Sequence, residues 1–204
     1  MKKSPLFLFI ILEIIFLIGL LLDSKISLFI LSLRSTFLND FMIWISYGGT
    51  WFVVLFLMTS LFLWDERKRK WILPLWLSLG IAEAVAHLLK LIIMRPRPFE
   101  SFLIPPLVSS IGSSFPSAHA AAAFSAIIIL NKEFPKFKWL WFSLASLVAL
   151  SRIYLGVHYL SDAAFGAAIG LASGYLIVYL SKRYKWDRQA HTKQYLRGVS
   201  NFHS

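Results

Sequence analysis

SRIYLGVHYLSDAAFGAAIGLASGYLIVYLSKR, residues 151–183, sets three ionisable side chains, Arg152, His158 and Asp162, at the mouth of an apolar run. From Asp162 to Ser181 that run has the ~20 residues a helix needs to cross a bilayer, and beyond Asp162 it carries no charge. The rest of the chain agrees: 58% of its 204 residues are hydrophobic and 15% charged, against about 45–50% and about 25% in soluble domains. Working outward, five more runs can span: about Pro5 to Leu22, Phe41 to Trp64, Trp71 to Met94, Pro116 to Leu130 and Trp139 to Tyr154. Hydrocarbon offers no partner to unpaired backbone groups, and the alternation of barrel strands is absent. The expected class is therefore all-α, a polytopic membrane protein with six transmembrane helices. Residues 1–181 form one domain, followed by a basic tail, residues 182–204.

Lys2 and Lys3 before the first run resemble the start of a signal peptide, but Leu20-Leu21-Leu22-Asp23 lacks the small-x-small cleavage pattern. The run reads as a retained first helix. Residues 25–37, KISLFILSLRSTF, have helical apolar spacing and few charges, which suggests a helix lying in the interface between the first two spans. Of the 21 Lys and Arg residues, 15 fall on the side shared by both termini, among them Arg67-Lys68-Arg69-Lys70 and six in the tail. The other side holds Lys25, Arg34, Lys90, Arg95, Arg97 and Arg152. Positive residues stay inside, so both termini are expected in the cytoplasm. The net charge of +11 then serves topology and anionic headgroups, and a nucleic-acid partner is not expected. The chain has no cysteine, hence no disulfide or thiolate chemistry.

The sparse side is where the chemistry gathers. Lys90, Arg97, His119, Arg152, His158 and Asp162 all fall at outer ends of helices, and ionisable groups at membrane depth are costly enough to imply function. Lys90 ends the third run, and Arg97 follows where Pro96 and Pro98 stop the helix. Pro116-Ser117-Ala118-His119 opens an alanine-rich helix whose free N–H groups and positive dipole end suit an anion. Asp162, four residues after His158, can accept from one ring nitrogen and leave the other as a nucleophile. Transferring a phosphoryl group needs fixed donors for the equatorial oxygens, a nucleophile and an acid for the leaving oxygen. Here Lys90, Arg97, Ser117 and Arg152 would hold the oxygens, His158 would attack and His119 would act as acid and then as base on water. No Asp/Glu cluster on this face offers ligands to a divalent cation, so neither metal nor cofactor is expected.

Lys-x6-Arg-Pro from Lys90, Pro-Ser-x-His from Pro116 and Ser-Arg-x5-His-x3-Asp from Ser151, in that order, resemble the type 2 phosphatidic acid phosphatase family. The resemblance implies a membrane lipid phosphatase working through a phosphohistidine, with catalytic His158, His119 and Asp162 and phosphate-binding Lys90, Arg97, Ser117 and Arg152. It implies a site on the outer face of a bacterial inner membrane. Bacterial members act on lipid A 1-phosphate, phosphatidylglycerophosphate, undecaprenyl pyrophosphate or phosphatidic acid, and the motifs grip phosphate without naming the lipid. The family usually has glycine where Ala118 stands; a helix start needs no positive φ there, so alanine is expected to serve.

Other polar residues have plainer readings beside sharper ones. Glu83 and His87 share one face of the third run with Lys90, either positioning its ammonium or only packing helices. Glu13, alone in the first run, is expected to be neutral or paired. Arg95 is expected to meet headgroups without a catalytic part. Phe99, Phe102, Leu103 and Ile104 suggest lateral access for a lipid. An anion or lipid-phosphate transporter could use the same cations, but it would want polar groups continuing inward and would leave the two histidines unused. An idle lipid-binding scaffold leaves the whole catalytic set unused, and a vanadate-dependent haloperoxidase, with a related anion pocket, is soluble.

Overall fold

The structure is a computed structural model and describes residues 5–184. Lys2, Lys3 and the tail from Lys185 onward, which enter the orientation count, lie outside the described residues. Among the described residues there is no strand. The helices are α1 (Pro5–Ser32), α2 (Thr36–Gly48), α3 (Trp51–Leu63), α4 (Ile72–Ile93), α5 (Pro98–Phe102), α6 (Ala118–Glu133), α7 (Lys138–Tyr154) and α8 (Leu160–Arg183). Short 3-10 turns cover Glu66–Trp71 and Pro135–Phe137. α1, α8 and the stretch Lys68–Phe102 around α4 are each long and apolar enough to cross a bilayer, and α2 with α3 make a fourth if taken as one bent span. α6 and α7 have 16 and 17 residues, short of the ~20 of a full crossing.

Two expectations change. Residues 25–37 do not form a separate interfacial helix: residues 25–32 complete α1, and Thr36 and Phe37 open α2. The helix runs through Asp23 because that carboxylate is buried and bonded, accepting from the Ser161 backbone N–H at 3.0 Å. The chain turns only at residues 33–35, where Arg34 donates to the carbonyls of Pro105 at 3.0 Å and Leu155 at 2.9 Å and Ser35 caps α2. The second change is that the run from Phe41 to Trp64 is two helices bent by 61° about residues 48–50. A Cβ on Gly49 would stand 2.2 Å from Val148 Cγ1, so only glycine allows α7 this close to the break.

α6 is the buried middle of the bundle. On one side Ser78 of α4 donates to the Ser125 carbonyl at 3.0 Å. On the other, Gly166, Gly170 and Gly174 of α8 follow one another at four-residue spacing and so share a helix face. A Cβ at each would fall 2.3 Å from the Ser117 carbonyl oxygen, 2.3 Å from that of Ala121 and 2.9 Å from that of Ser125. The two backbones touch, and the Ser117 N–H donates to the Asp162 carbonyl at 3.0 Å, locking the start of α6 to the start of α8.

Gly170→Leu should therefore cost about 1–3 kcal/mol by overpacking, lowering the detergent melting temperature and turnover together. Gly80→Leu, at a position with nothing within 4 Å of a Cβ, should leave melting close to wild type. Equal shifts at the two positions would contradict the backbone contact.

Candidate active site

Met94, left-handed at φ 47, ends α4. Lys90, one turn earlier, sends Nζ to the carbonyls of Ser113 at 2.7 Å and Ser114 at 3.4 Å. The buried Arg97 spreads its guanidinium over three carbonyls: Nε donates to Gly112 at 2.9 Å, Nη1 to Val157 at 2.8 Å and Nη2 to Ile111 at 3.1 Å. Arg152, in the last turn of α7, donates from Nη1 to Ser46 Oγ and from Nη2 to Ser110 Oγ at 3.4 Å, while its buried Nε has no partner among the described residues. None of these three cations forms an ion pair among the described residues. Neutral oxygens orient a cation without cancelling its charge, so three positive charges remain to be met by an anion.

His158 reaches the same place by a turn. Gly156, at φ 79, reverses the chain after α7, and the N–H groups of Val157 and His158 both donate to the Arg152 carbonyl at 3.2 Å. The imidazole is 3% exposed. Burial pushes its pKa down to about 3, against the upward pull of Asp162, so the ring is neutral and nucleophilic at physiological pH. His119, the second residue of α6 and half-buried, lies within electrostatic reach of Arg152, His158, Lys90 and Arg97. Ala118 takes the first helical position, and Ser117 is the N-cap, its Oγ accepting from the Ala120 N–H at 3.4 Å.

Asp162 sits in the first turn of α8, fully buried. Its Oδ2 accepts from the Tyr159 N–H at 2.8 Å and from Ser114 Oγ. That occupancy explains a departure from expectation: His158 Nδ1 stands 3.6 Å from Oδ2 and has no hydrogen-bond partner among the described residues. The pair is an electrostatic contact here, about 0.4 Å beyond the ~3.2 Å edge of an N–H···O bond.

Arg95 is the residue sequence reasoning missed. Instead of meeting headgroups, it bridges two buried carboxylates: Nη1 donates to Asp162 Oδ1 at 2.7 Å and to Ser161 Oγ at 2.7 Å, and Nη2 donates to Asp23 Oδ2 at 2.8 Å. Its guanidinium lies 4.0 Å from the centroid of the Tyr159 ring. Asp23 also accepts from Ser161 Oγ, so α1 is wired to the start of α8. The available signal was Asp23 itself, since a carboxylate at membrane depth demands a partner.

The remaining polar residues are not drawn into this cluster. Glu83 Oε2 lies 3.3 Å from His87 Nδ1, and that nitrogen is 2.9 Å from the Glu83 carbonyl. Neither is hydrogen-bonded to Lys90, whose ammonium points at the loop instead. Glu13 lies on the exposed side of α1. Phe102 packs edge-on to Tyr159, and Leu103 faces outward. Among the described residues no three His, Asp or Glu side chains converge as metal ligands.

Comparison with known proteins gives a consistent picture. A phosphatidylglycerophosphatase B of Bacillus subtilis is 30% identical over 180 residues, covering 82% of this chain and 87% of that protein. A decaprenylphosphoryl-5-phosphoribose phosphatase of Mycobacterium tuberculosis is 34% identical over 114 residues, covering 55% of this chain and 62% of that protein, so under two thirds of its length is spanned. The crystal structure of a transmembrane PAP2 type phosphatidylglycerolphosphate phosphatase from Bacillus subtilis superposes with a TM-score of 0.72 at 26% identity, covering 88% of this chain and 96% of that one. The family model described as the PAP2 superfamily matches residues 71–186, more than half the chain and all three motifs. The chain belongs to the PAP2 superfamily.

Proposed function

We propose that this protein is an integral-membrane lipid phosphatase that hydrolyses a phosphomonoester or pyrophosphate on a membrane lipid through a phosphohistidine. One observation carries the reading: Lys90, Arg97 and Arg152 converge with their charges uncancelled around a neutral, buried His158 and the half-buried His119. A tetrahedral dianion complements that field, and a neutral ligand would leave it unmet.

His158 Nδ1 faces Asp162, so the other ring nitrogen attacks phosphorus. The N–P bond forms as the P–O bond to the lipid breaks. The leaving oxygen takes a proton from His119, which then draws a proton from water as the water's oxygen displaces the imidazole and frees phosphate. Asp162 steadies the positive charge that grows on the His158 ring, and Ser117 adds a donor at the helix start.

The substrate class is a lipid phosphate such as lipid A 1-phosphate, phosphatidylglycerophosphate, undecaprenyl pyrophosphate or phosphatidic acid. In the six-span reading α6 and α7 are the short crossings, both termini are cytoplasmic and the site faces the outside of a bacterial inner membrane. Residues 182–204 form the basic cytoplasmic tail. No metal takes part.

Purified protein offered these lipids with a chelator present should release inorganic phosphate, and His119→Ala should slow release by about 10²–10⁴-fold. Loss of wild-type release on adding chelator would remove metal independence. Release unchanged by His119→Ala would remove the acid–base assignment.

A further inference from the structure

An apolar crevice of about 260 Å³ opens between the α2–α3 bend, α6 and α7. Its lining includes Ile45, Leu57, Ala123, Ala126, Ala145 and Val148, with no charged side chain. We propose that this crevice seats the hydrocarbon tail of the lipid phosphate being hydrolysed. The proposal rests on the lipid-phosphatase reading and adds where the lipid lies.

Position argues for a substrate tail over any passing lipid. On each of three helices a residue of the phosphate site lies within one turn of a lining residue. Ser46, which bonds Arg152, adjoins Ile45; His119 is one turn above Ala123; Arg152 is one turn above Val148. From there the lining continues down α6 to Leu130 and along α7 to Trp141. At ~1.5 Å of rise per residue, both helices put the crevice between about 6 and about 16 Å below the level of His119 and Arg152. One leaflet's hydrocarbon is about 15 Å deep. A chain hanging from a phosphate held at the site therefore has apolar wall beside it for the depth of its own leaflet.

The floor is made for a thin, flexible guest. Ala123, Ala126 and Ala145 are buried small residues, whereas Trp44, Leu57 and Leu144 at the rim are at least 45% exposed and leave the side open to lipid. This places the tail beside the α2–α3 bend, and not by Phe102 and Leu103, where Phe102 is already packed on Tyr159. The cavity lined by Glu83 and His87 is a poorer match, because hydrocarbon there would desolvate a carboxylate.

The test compares substrates with one head group and different tails: dipalmitoyl against dibutyryl phosphatidic acid, and undecaprenyl against geranyl pyrophosphate, in the same detergent. Ala145→Phe fills the crevice from its floor. Leu57→Trp narrows it from the half-exposed rim, where folding is least at risk. Both variants should lose at least about tenfold in kcat/KM on the long-tailed member of a pair, the loss of two or so buried methylenes, and match wild type on the short-tailed member. Equal losses on long and short tails, or no loss on either, would overturn the proposal, the latter showing a crevice filled only by bulk lipid. If wild type released phosphate from none of the four, the phosphatase reading itself would fall.

Discussion

His158→Ala should reduce phosphate release by at least about 10⁴-fold, the scale on which enzymes lose turnover when a covalent nucleophile is removed. The neighbouring groups make the effect specific. Lys90, Arg97 and Arg152 owe their positions to loop carbonyls and serine hydroxyls, not to the imidazole, so the variant should keep its affinity for phosphate. Inorganic phosphate should raise the melting temperature of His158→Ala as it does that of wild type, while radiolabelled substrate should leave no acid-labile phosphate on the protein. The pH profile offers a further check. A histidine held down to about 3 by burial gains its proton only as pH falls towards that value, so between pH 8 and pH 5 the nucleophile adds no acid limb. A step in kcat near the ordinary histidine pKa of ~6.5 that disappeared in Asp162→Asn would show His158 titrating there and would contradict this environment.

Arg95→Ala should be the most damaging change at a position the motifs leave unspecified. It leaves Asp23 and Asp162, 4% and 0% exposed, as buried carboxylates without their shared cation. Breaking a buried pair from one side costs about 3–5 kcal/mol, and the low end applies because Arg95 keeps some access to solvent. Turnover should fall further than binding, since Asp162 would be free to leave His158 while Lys90, Arg97 and Arg152 stay in place. Lysine cannot repair this, because a single ammonium cannot reach two carboxylates and a hydroxyl as a planar fork does. Guanidinium added to Arg95→Ala should recover part of kcat, and methylammonium should recover less. A variant that melts and turns over like wild type would show the bridge to be incidental.

The residues of the candidate site were more legible in the sequence than the packing around them. Lys90, Arg97, His119, Arg152, His158 and Asp162 announced themselves because charge within apolar sequence is expensive and because motif spacing is local. The long apolar helices α1, α4 and α8 were also legible from hydropathy alone. Less legible was anything decided by one helix against another. The break near Gly49 depends on Val148, 99 positions along the chain. Asp23 looked like a stop because its partners, Arg95 and Ser161, come from distant segments. The glycine row of α8 reads in sequence as weak helix propensity, and only the carbonyls of α6 show what the missing side chains allow. The contact between His158 and Asp162 followed from spacing, but its length did not, because Ser114 and the Tyr159 amide compete for the same oxygen.

The placement of Asp23 changes how the first helix should be handled in the laboratory. A leader swap, a fusion partner spliced near residue 24, or an expression design that discards the opening hydrophobic segment as mere targeting would strip a carboxylate from Arg95. Such a product would still carry the later apolar helices, yet it would lack one leg of the support beneath Asp162. The opening segment is better handled as one piece with the start of α8, to which Asp23 ties it.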